Sequence, residues 1–293
     1  CGSDVSWYLN HRLYSPWLVS EQSRGGNAGL QGAISPASGL PELPTFFINL
    51  YRAGKLDLEG LVSQTLPLAD INKAFEDMEA VADAVTAISS STEALVRELW
   101  DRPVERIPFG ATVEPPTPAA PKPPPTDRPY RVLFVGRLVE RKGVQHLIRA
   151  VAALRRSRAV ELDVVGDGAY RARLEGLARE AGLGDAARFH GFISREELSR
   201  RFAESDVFVL PAVVDAKGDV EGLGVVLIEA LRYGTPVIGS AAGGIVDIVR
   251  DGETGLLVPP GDEEALARAI ARLQDDPALA AALVRRGQAH VER

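Results

Sequence analysis

The sequence predicts an α/β fold built on a doubly wound, mostly parallel sheet, and three observations carry that prediction. From residue 128 onward, short apolar runs alternate with amphipathic stretches of helical length. Most of those runs stop at a glycine or proline, as strands do where they feed a loop and a helix. A proline-dense segment, Glu114 to Asp127 (EPPTPAAPKPPPTD), separates this pattern from a poorer one before it. At 293 residues and 45% apolar content, the chain is long enough for two domains of ordinary globular composition.

The elements follow in order. Residues 1–45 are rich in Gly, Ser and Pro, show no sustained period and predict no fold. Phe46–Gly54 and Leu68–Val81 read as helices; Ala84–Ser89, Thr92–Trp100 and Val104–Gly110 read as strand, helix and strand. Prolines at 114–127 forbid helix or a central strand and favour an extended, semi-rigid linker; a proline-rich recognition peptide is the alternative. Beyond it, strands are predicted at Tyr130–Gly136, Val160–Gly166, Ala187–Phe192, Asp206–Leu210, Val237–Ser240 and Gly255–Val258. Helices are predicted at Gly143–Arg156, Ala169–Ala181, Arg195–Glu204, Gly224–Arg232, Glu263–Gln274 and Pro277–His290. The expected divisions are 1–80, 81–113, the linker 114–127, and the lobe 128–293.

Charge and cysteine usage exclude several functions. Residues 1–127 hold 9 basic and 16 acidic side chains, and residues 128–293 hold 24 of each, so the net charge of −7 lies wholly in the first part. No basic domain exists, which argues against nucleic acid as a partner. Cys1 is the sole cysteine, so neither a disulfide framework nor a cysteine-rich metal site is available, in keeping with a cytoplasmic setting. There is no apolar run of 18 residues to span a membrane and no signal-peptide pattern. Because it starts with Cys rather than Met, the chain is expected to be a fragment.

In a doubly wound sheet, ligands bind beyond the carboxyl ends of the strands, so the loops there are where chemistry is expected. Glu221-Gly-Leu-Gly-Val-Val-Leu-Ile-Glu229 is the most informative of them. It follows a buried strand and enters an apolar helix, whose first amides can hold an anion between two carboxylates. Glu221 could equally serve as a helix-dipole partner and Glu229 as a solvated helix position, although Ile228 and Ala230 on either side fit solvation poorly. Gly136-Arg-Leu-Val-Glu-Arg-Lys-Gly143 places Arg137 and Lys142 after the first strand, where two cations can neutralise a diphosphate or remain plain loop charges. Gly166-Asp-Gly168 closes the second strand and on its own reads as a turn; it is not a dinucleotide fingerprint. His190 lies on the third strand edge with no carboxylate near it in sequence, beside Gly191 and Phe192, where a flat base could approach. Gly243 and Gly244 allow close approach to a bound group, or form a flexible turn.

Taken together, residues 128–293 resemble the C-terminal, nucleotide-binding lobe of retaining family-four glycosyltransferases, which have the B-type two-lobed fold. The resemblance rests on Gly136-Arg137…Lys142-Gly143, Gly166-Asp-Gly168, His190-Gly-Phe192, Glu221-x7-Glu229, Gly234-x-Pro236, Gly243-Gly244 and Gly252-x-x-Gly255. Residues 81–113 look like the last strand–helix–strand of that family's first lobe, with Ile107-Pro-Phe-Gly110 entering the linker. The resemblance implies a nucleotide-diphospho-sugar donor (UDP- or GDP-linked), a sugar or lipid-linked acceptor, and retention of configuration. It requires no cofactor, metal or covalent nucleophile. It implies that Arg137 and Lys142 bind the leaving diphosphate and that Glu221 meets the donor sugar's hydroxyls. Glu229 would hold the ribose, amides of Gly222, Leu223, Gly224 and Val225 would contact sugar and phosphate, and backbone at Phe192 and Ile193 would receive the base. Gly136 and Gly166 complete the donor-binding set. Leu223 departs from the Phe of many relatives.

The first part departs from that family. Residues 46–78, including Leu50-Tyr-Arg-Ala-Gly-Lys-Leu56, are similar to the tail of medium-chain zinc alcohol dehydrogenases, and Cys1-Gly-Ser-Asp-Val5 to the start of their zinc site. The glycosyltransferase resemblance in turn implies that the chain stops at Val291-Glu-Arg293 where relatives usually continue into a helix packing back on the first lobe, so a chimera or a spliced fragment is expected. The alternatives to a glycosyltransferase are therefore a fragment of a zinc-dependent dehydrogenase and a catalytically incomplete nucleotide-binding module.

Overall fold

The computed structural model describes residues 85–99, 103–111, 115, 118–123, 125–216 and 218–292. The helices expected at 46–54 and 68–81, the unassigned residues 1–45 and the dehydrogenase-like segments lie outside these residues. Of the described residues, 87–99 and those from 106 onward belong to one compact unit; 85, 86 and 103–105 belong to another. Strands β1 (Val85–Ala87) and β2 (Val104–Arg106) form a two-stranded sheet. Between them in sequence runs α1 (Ser90–Leu99). This helix starts two residues before the predicted Thr92, because Ser89 and Thr92 cap it reciprocally: the Ser89 amide donates to Thr92 Oγ1 at 2.9 Å and the Thr92 amide to Ser89 Oγ at 3.1 Å. β2 stops at Arg106 rather than running to Gly110. Pro108 lacks the N–H that a ladder needs.

The larger unit is built on six parallel strands: β3 (Tyr130–Val135), β4 (Val160–Val165), β5 (Ala187–Gly191), β6 (Val207–Leu210), β7 (Val237–Ser240) and β8 (Leu256–Val258). Their spatial order is β5-β4-β3-β6-β7-β8. Helices cover both faces of such a sheet, which is why the strands are apolar nearly throughout. β6 and β7 are buried at every position. The helices are α2 (Val144–Leu154), α3 (Arg171–Glu180), α4 (Arg195–Glu204), α5 (Val225–Arg232), α6 (Ile245–Ile248), α7 (Glu263–Asp275) and α8 (Pro277–Val291). In α2 the buried positions Val144, Leu147, Ile148, Val151 and Leu154 repeat at helical spacing. Ser194, Asp262 and Asp276 cap α4, α7 and α8 through their side chains. Each predicted element of residues 128–293 is present, with ends moved by two residues at most.

The strand order reverses direction between β3 and β6, the first strand of the sheet and the fourth. At such a switch point the two following loops turn away from each other and leave a crevice. Residues 136–143 form one wall of it and residues 211–224 the other. Their packing is close: a Cβ on Gly143 would lie 1.7 Å from the Pro211 carbonyl oxygen.

Within the linker, Ala119 and Lys122 are bonded to the lobe. The Ala119 amide donates to the Arg232 carbonyl at 2.8 Å, and Gln288 Nε2 donates to the Ala119 carbonyl at 2.8 Å. Lys122 reaches into the lobe and donates to the carbonyls of Phe202 (2.5 Å) and Ser205 (2.8 Å) and to Thr235 Oγ1. Composition does not foresee this docking.

Candidate functional site

Of the residues singled out in the sequence, the structure brings Lys142 and Glu221 into contact at the carboxyl ends of the strands. Lys142 closes the 3-10 turn Glu140–Lys142, and Gly143 then turns the chain into α2. From there Lys142 Nζ donates to Glu221 Oε2 at 2.5 Å. Both side chains are largely enclosed. Arg137, five residues earlier on the same loop, is exposed. Two cations on one wall thus differ in kind: one is held against a carboxylate, and the other is presented to solvent at the mouth.

The opposite wall is fixed from below. Gly224 adopts a left-handed conformation (φ 86°) and begins α5, with Leu227 N donating to the Gly224 carbonyl at 2.9 Å. The first amides of α5, starting at Val225, have no acceptor within the helix, so its start carries partial positive charge toward the crevice. Leu223 is buried and Glu229, inside α5, is 3% exposed. Replacing Gly224 by alanine forces a side chain into that backbone region, with Leu227 Cδ1 3.0 Å and Leu210 Cδ2 3.1 Å from the new Cβ. The expected cost is about 1–2 kcal/mol, measurable by urea unfolding.

The loop after β7 supports this wall. The Gly244 amide donates to the Glu221 carbonyl at 2.9 Å. A Cβ on Gly243 would lie 2.0 Å from that same oxygen, and one on Gly244 would lie 2.1 Å from the Gly222 carbonyl oxygen. The space that sequence reading reserved there for a bound group is filled by the backbone of residues 221 and 222. Glycines at 136 and 166 do similar work: a Cβ on Gly166 would meet the Gly136 carbonyl at 2.0 Å. The Gly166 amide in turn donates to the Gly191 carbonyl at 2.9 Å. The loops after β3, β4 and β5 are therefore stacked edge to edge, ending at Phe192, which is 76% exposed, and the half-buried Ile193.

His190 has an orienting carboxylate after all. Its Nε2 lies 2.6 Å from Asp163 Oδ1, and Asp163 is buried on the neighbouring strand β4. Arg201 Nη1 approaches the same oxygen at 3.4 Å. Sequence reading missed Asp163 because its partner is 27 residues away and meets it only through strand pairing. The available clue was an Asp inside an otherwise apolar strand, Val160-Glu-Leu-Asp-Val-Val165, since a buried carboxylate requires partners. Among the described residues there is no cluster of three or more His, Cys, Asp or Glu side chains placed to hold a metal ion.

Comparison with known proteins agrees with this architecture. The family described as glycosyl transferases group 1 matches residues 118–290, more than half of the sequence. The chain belongs to that family. It is 36% identical over 166 residues to the amylovoran biosynthesis glycosyltransferase AmsK of Erwinia amylovora, covering 56% of this chain and 41% of that protein. It is 41% identical over 159 residues to a GDP-mannose-dependent alpha-(1-6)-phosphatidylinositol monomannoside mannosyltransferase of Mycolicibacterium smegmatis, covering 54% and 41%. The chain thus spans about two-fifths of the length of these curated relatives. Among solved structures, sucrose-phosphate synthase from Thermosynechococcus elongatus superimposes with a TM-score of 0.62 at 35% identity, covering 79% of this chain and 59% of that one. The fold is that of B-type glycosyltransferases, as the resemblance of residues 128–293 implied. The match begins at residue 118, and the dehydrogenase resemblance expected for residues 1–5 and 46–78 is not shown by these matches. No helix among the described residues is long and apolar enough to cross a membrane.

Proposed function

We propose that this chain carries the donor-binding lobe of a retaining glycosyltransferase, which moves a sugar from a nucleotide-diphospho-sugar to a sugar or lipid-linked acceptor. The observation that carries this reading is the meeting of Lys142 and Glu221, at 2.5 Å, in the crevice at the switch point of the sheet. Breaking a sugar–diphosphate bond leaves an oxocarbenium-like sugar and builds negative charge on the leaving phosphate. An ammonium held by Glu221, an exposed guanidinium and the start of α5 stabilise that charge more as it grows, which lowers the barrier. Glu221, hydrogen-bonded to Lys142, is assigned the hydroxyls of the sugar being released. Glu229 is assigned the ribose hydroxyls, and the backbone at Phe192 and Ile193 the base. Retention follows if the acceptor enters on the face the diphosphate leaves, with a phosphate oxygen taking its proton.

The donor nucleotide is UDP or GDP in this reading; a GDP-mannose-dependent relative at 41% identity supports the nucleotide-sugar class. The reading places residues 128–293 as the donor lobe, 114–127 as its linker, and 81–113 as the end of the preceding lobe, acting in the cytoplasm, where nucleotide sugars are available. Isothermal titration with UDP and with GDP tests it. One of the two is expected to bind with a Kd of about 1 μM to 1 mM, and Arg137→Ala is expected to weaken it about tenfold through loss of one phosphate contact. Absence of heat with both nucleotides, together with no thermal shift, would sink the proposal.

A further inference from the structure

Between Pro211 and Gly224 the chain makes a long excursion before it delivers Glu221. Its tip closes on itself: the Gly218 amide donates to the Asp215 carbonyl, the Asp215 amide to the Asp219 carbonyl and the Asp219 amide to Asp215 Oδ1, each at 3.0 Å. The excursion therefore has a neck, with Val213 on the outgoing side and Val220 on the returning side. Arg141 holds both. Its carbonyl accepts the Val213 amide at 2.8 Å, and its Nη1 donates to the Val220 carbonyl at 3.2 Å. The residue after Arg141 is Lys142, and the residue after Val220 is Glu221. One arginine thus brackets the neck immediately beside the ion pair of the proposed site.

We infer that Arg141 is a positioning residue for sugar recognition: it sets the carboxylate of Glu221 in register with Lys142 by clamping the neck at Val213 and Val220. The inference rests on the donor-site reading above and deepens it, since Arg141 has no part in gripping phosphate. Its effect reaches the ligand only through Glu221. On the other side of Glu221 the Gly244 amide already holds the carbonyl at 2.9 Å. The side chain is therefore fixed only when the neck is fixed too. Without the guanidinium, the returning strand of the neck loses its bond and Glu221 can rotate away from a bound sugar. The phosphate-binding groups, Arg137 on one wall and the start of α5 on the other, stay in place.

The test compares Arg141→Met with Arg141→Lys, which keeps a cationic donor able to reach the Val220 carbonyl. Affinities for UDP, UDP-glucose, GDP and GDP-mannose are measured by titration calorimetry, and amide exchange over residues 213–220 by mass spectrometry. With whichever base binds the wild type, Arg141→Met is expected to weaken the nucleotide sugar about tenfold, the scale of one lost hydrogen bond to a charged group. The free nucleoside diphosphate should change less than about twofold. Amide exchange over 213–220 is expected to rise in Arg141→Met, and Arg141→Lys to restore both. Equal loss of sugar-bearing and sugar-free ligands, or unchanged exchange at the neck, overturns the assignment. A wild type that binds neither base refutes the donor site itself, while the exchange measurement still decides the clamp.

Discussion

Replacing Lys142 by alanine is expected to slow release of nucleoside diphosphate from the donor by about 10²–10³-fold, the effect of removing one preorganised group that meets developing charge. The loss should fall mainly on kcat, because the ammonium matters most when the bond to phosphate has stretched. Arg137, exposed on the same loop, can still meet the ground-state diphosphate, so KM is expected to rise only a few-fold. The variant also leaves Glu221, 8% exposed, without the ammonium 2.5 Å away. That should cost about 1–3 kcal/mol of stability, read from urea unfolding. Adding Glu221→Gln removes the orphaned charge, so the double variant is expected to recover stability and no turnover. Rates within about threefold of wild type for Lys142→Ala would mean that the ammonium serves only to neutralise Glu221.

How much of this was legible in the sequence depends on the range of the interactions. The six strands of the large sheet are read from apolar runs because both faces are covered, and burial there is a property of each residue alone. The walls of the crevice were legible for a related reason: strand–loop–helix order fixes which loops share one edge of a parallel sheet. Contacts made across the fold were not. Asp163 finds His190 through strand pairing, and Gly243 and Gly244 lie against the backbone of residues 221 and 222, where a Cβ would not fit. The start of α1 was missed because Ser89 was assigned to a strand, although Ser89 and Thr92 are spaced as a capping pair. Arg141 escaped notice as an ordinary charge beside Lys142, since nothing local marks a carbonyl 79 residues away as its partner.

Lys122 shows the same limit with a measurable consequence: in the sequence it is one charge among prolines, and in the fold its ammonium end is enclosed. Burial pushes its pKa down to about 7; the Asp206 carboxylate pulls it up, and the Arg128 guanidinium, itself paired to Asp206 at 2.6 Å, pushes it down again. In the unfolded chain the lysine titrates near its ordinary value of 10.5. Below about pH 7 both states carry the proton, and this group gives stability no pH dependence. Between about 7 and 10.5 the unfolded chain binds a proton that the folded one does not, so stability rises with pH through that window. Comparison with Lys122→Met cancels the other titrating groups. The stability of wild type relative to Lys122→Met is therefore expected to rise by about 2 kcal/mol between pH 7 and pH 9, in urea unfolding at matched ionic strength. The geometry offers a sharp counter-outcome. Thr235 donates its own hydroxyl hydrogen to the Phe202 carbonyl at 2.9 Å, so Lys122 faces three acceptors, which only an ammonium can satisfy together. If those bonds outweigh burial, the difference between the two proteins stays flat from pH 7 to 9, and the linker is held by a charged lysine across the whole range.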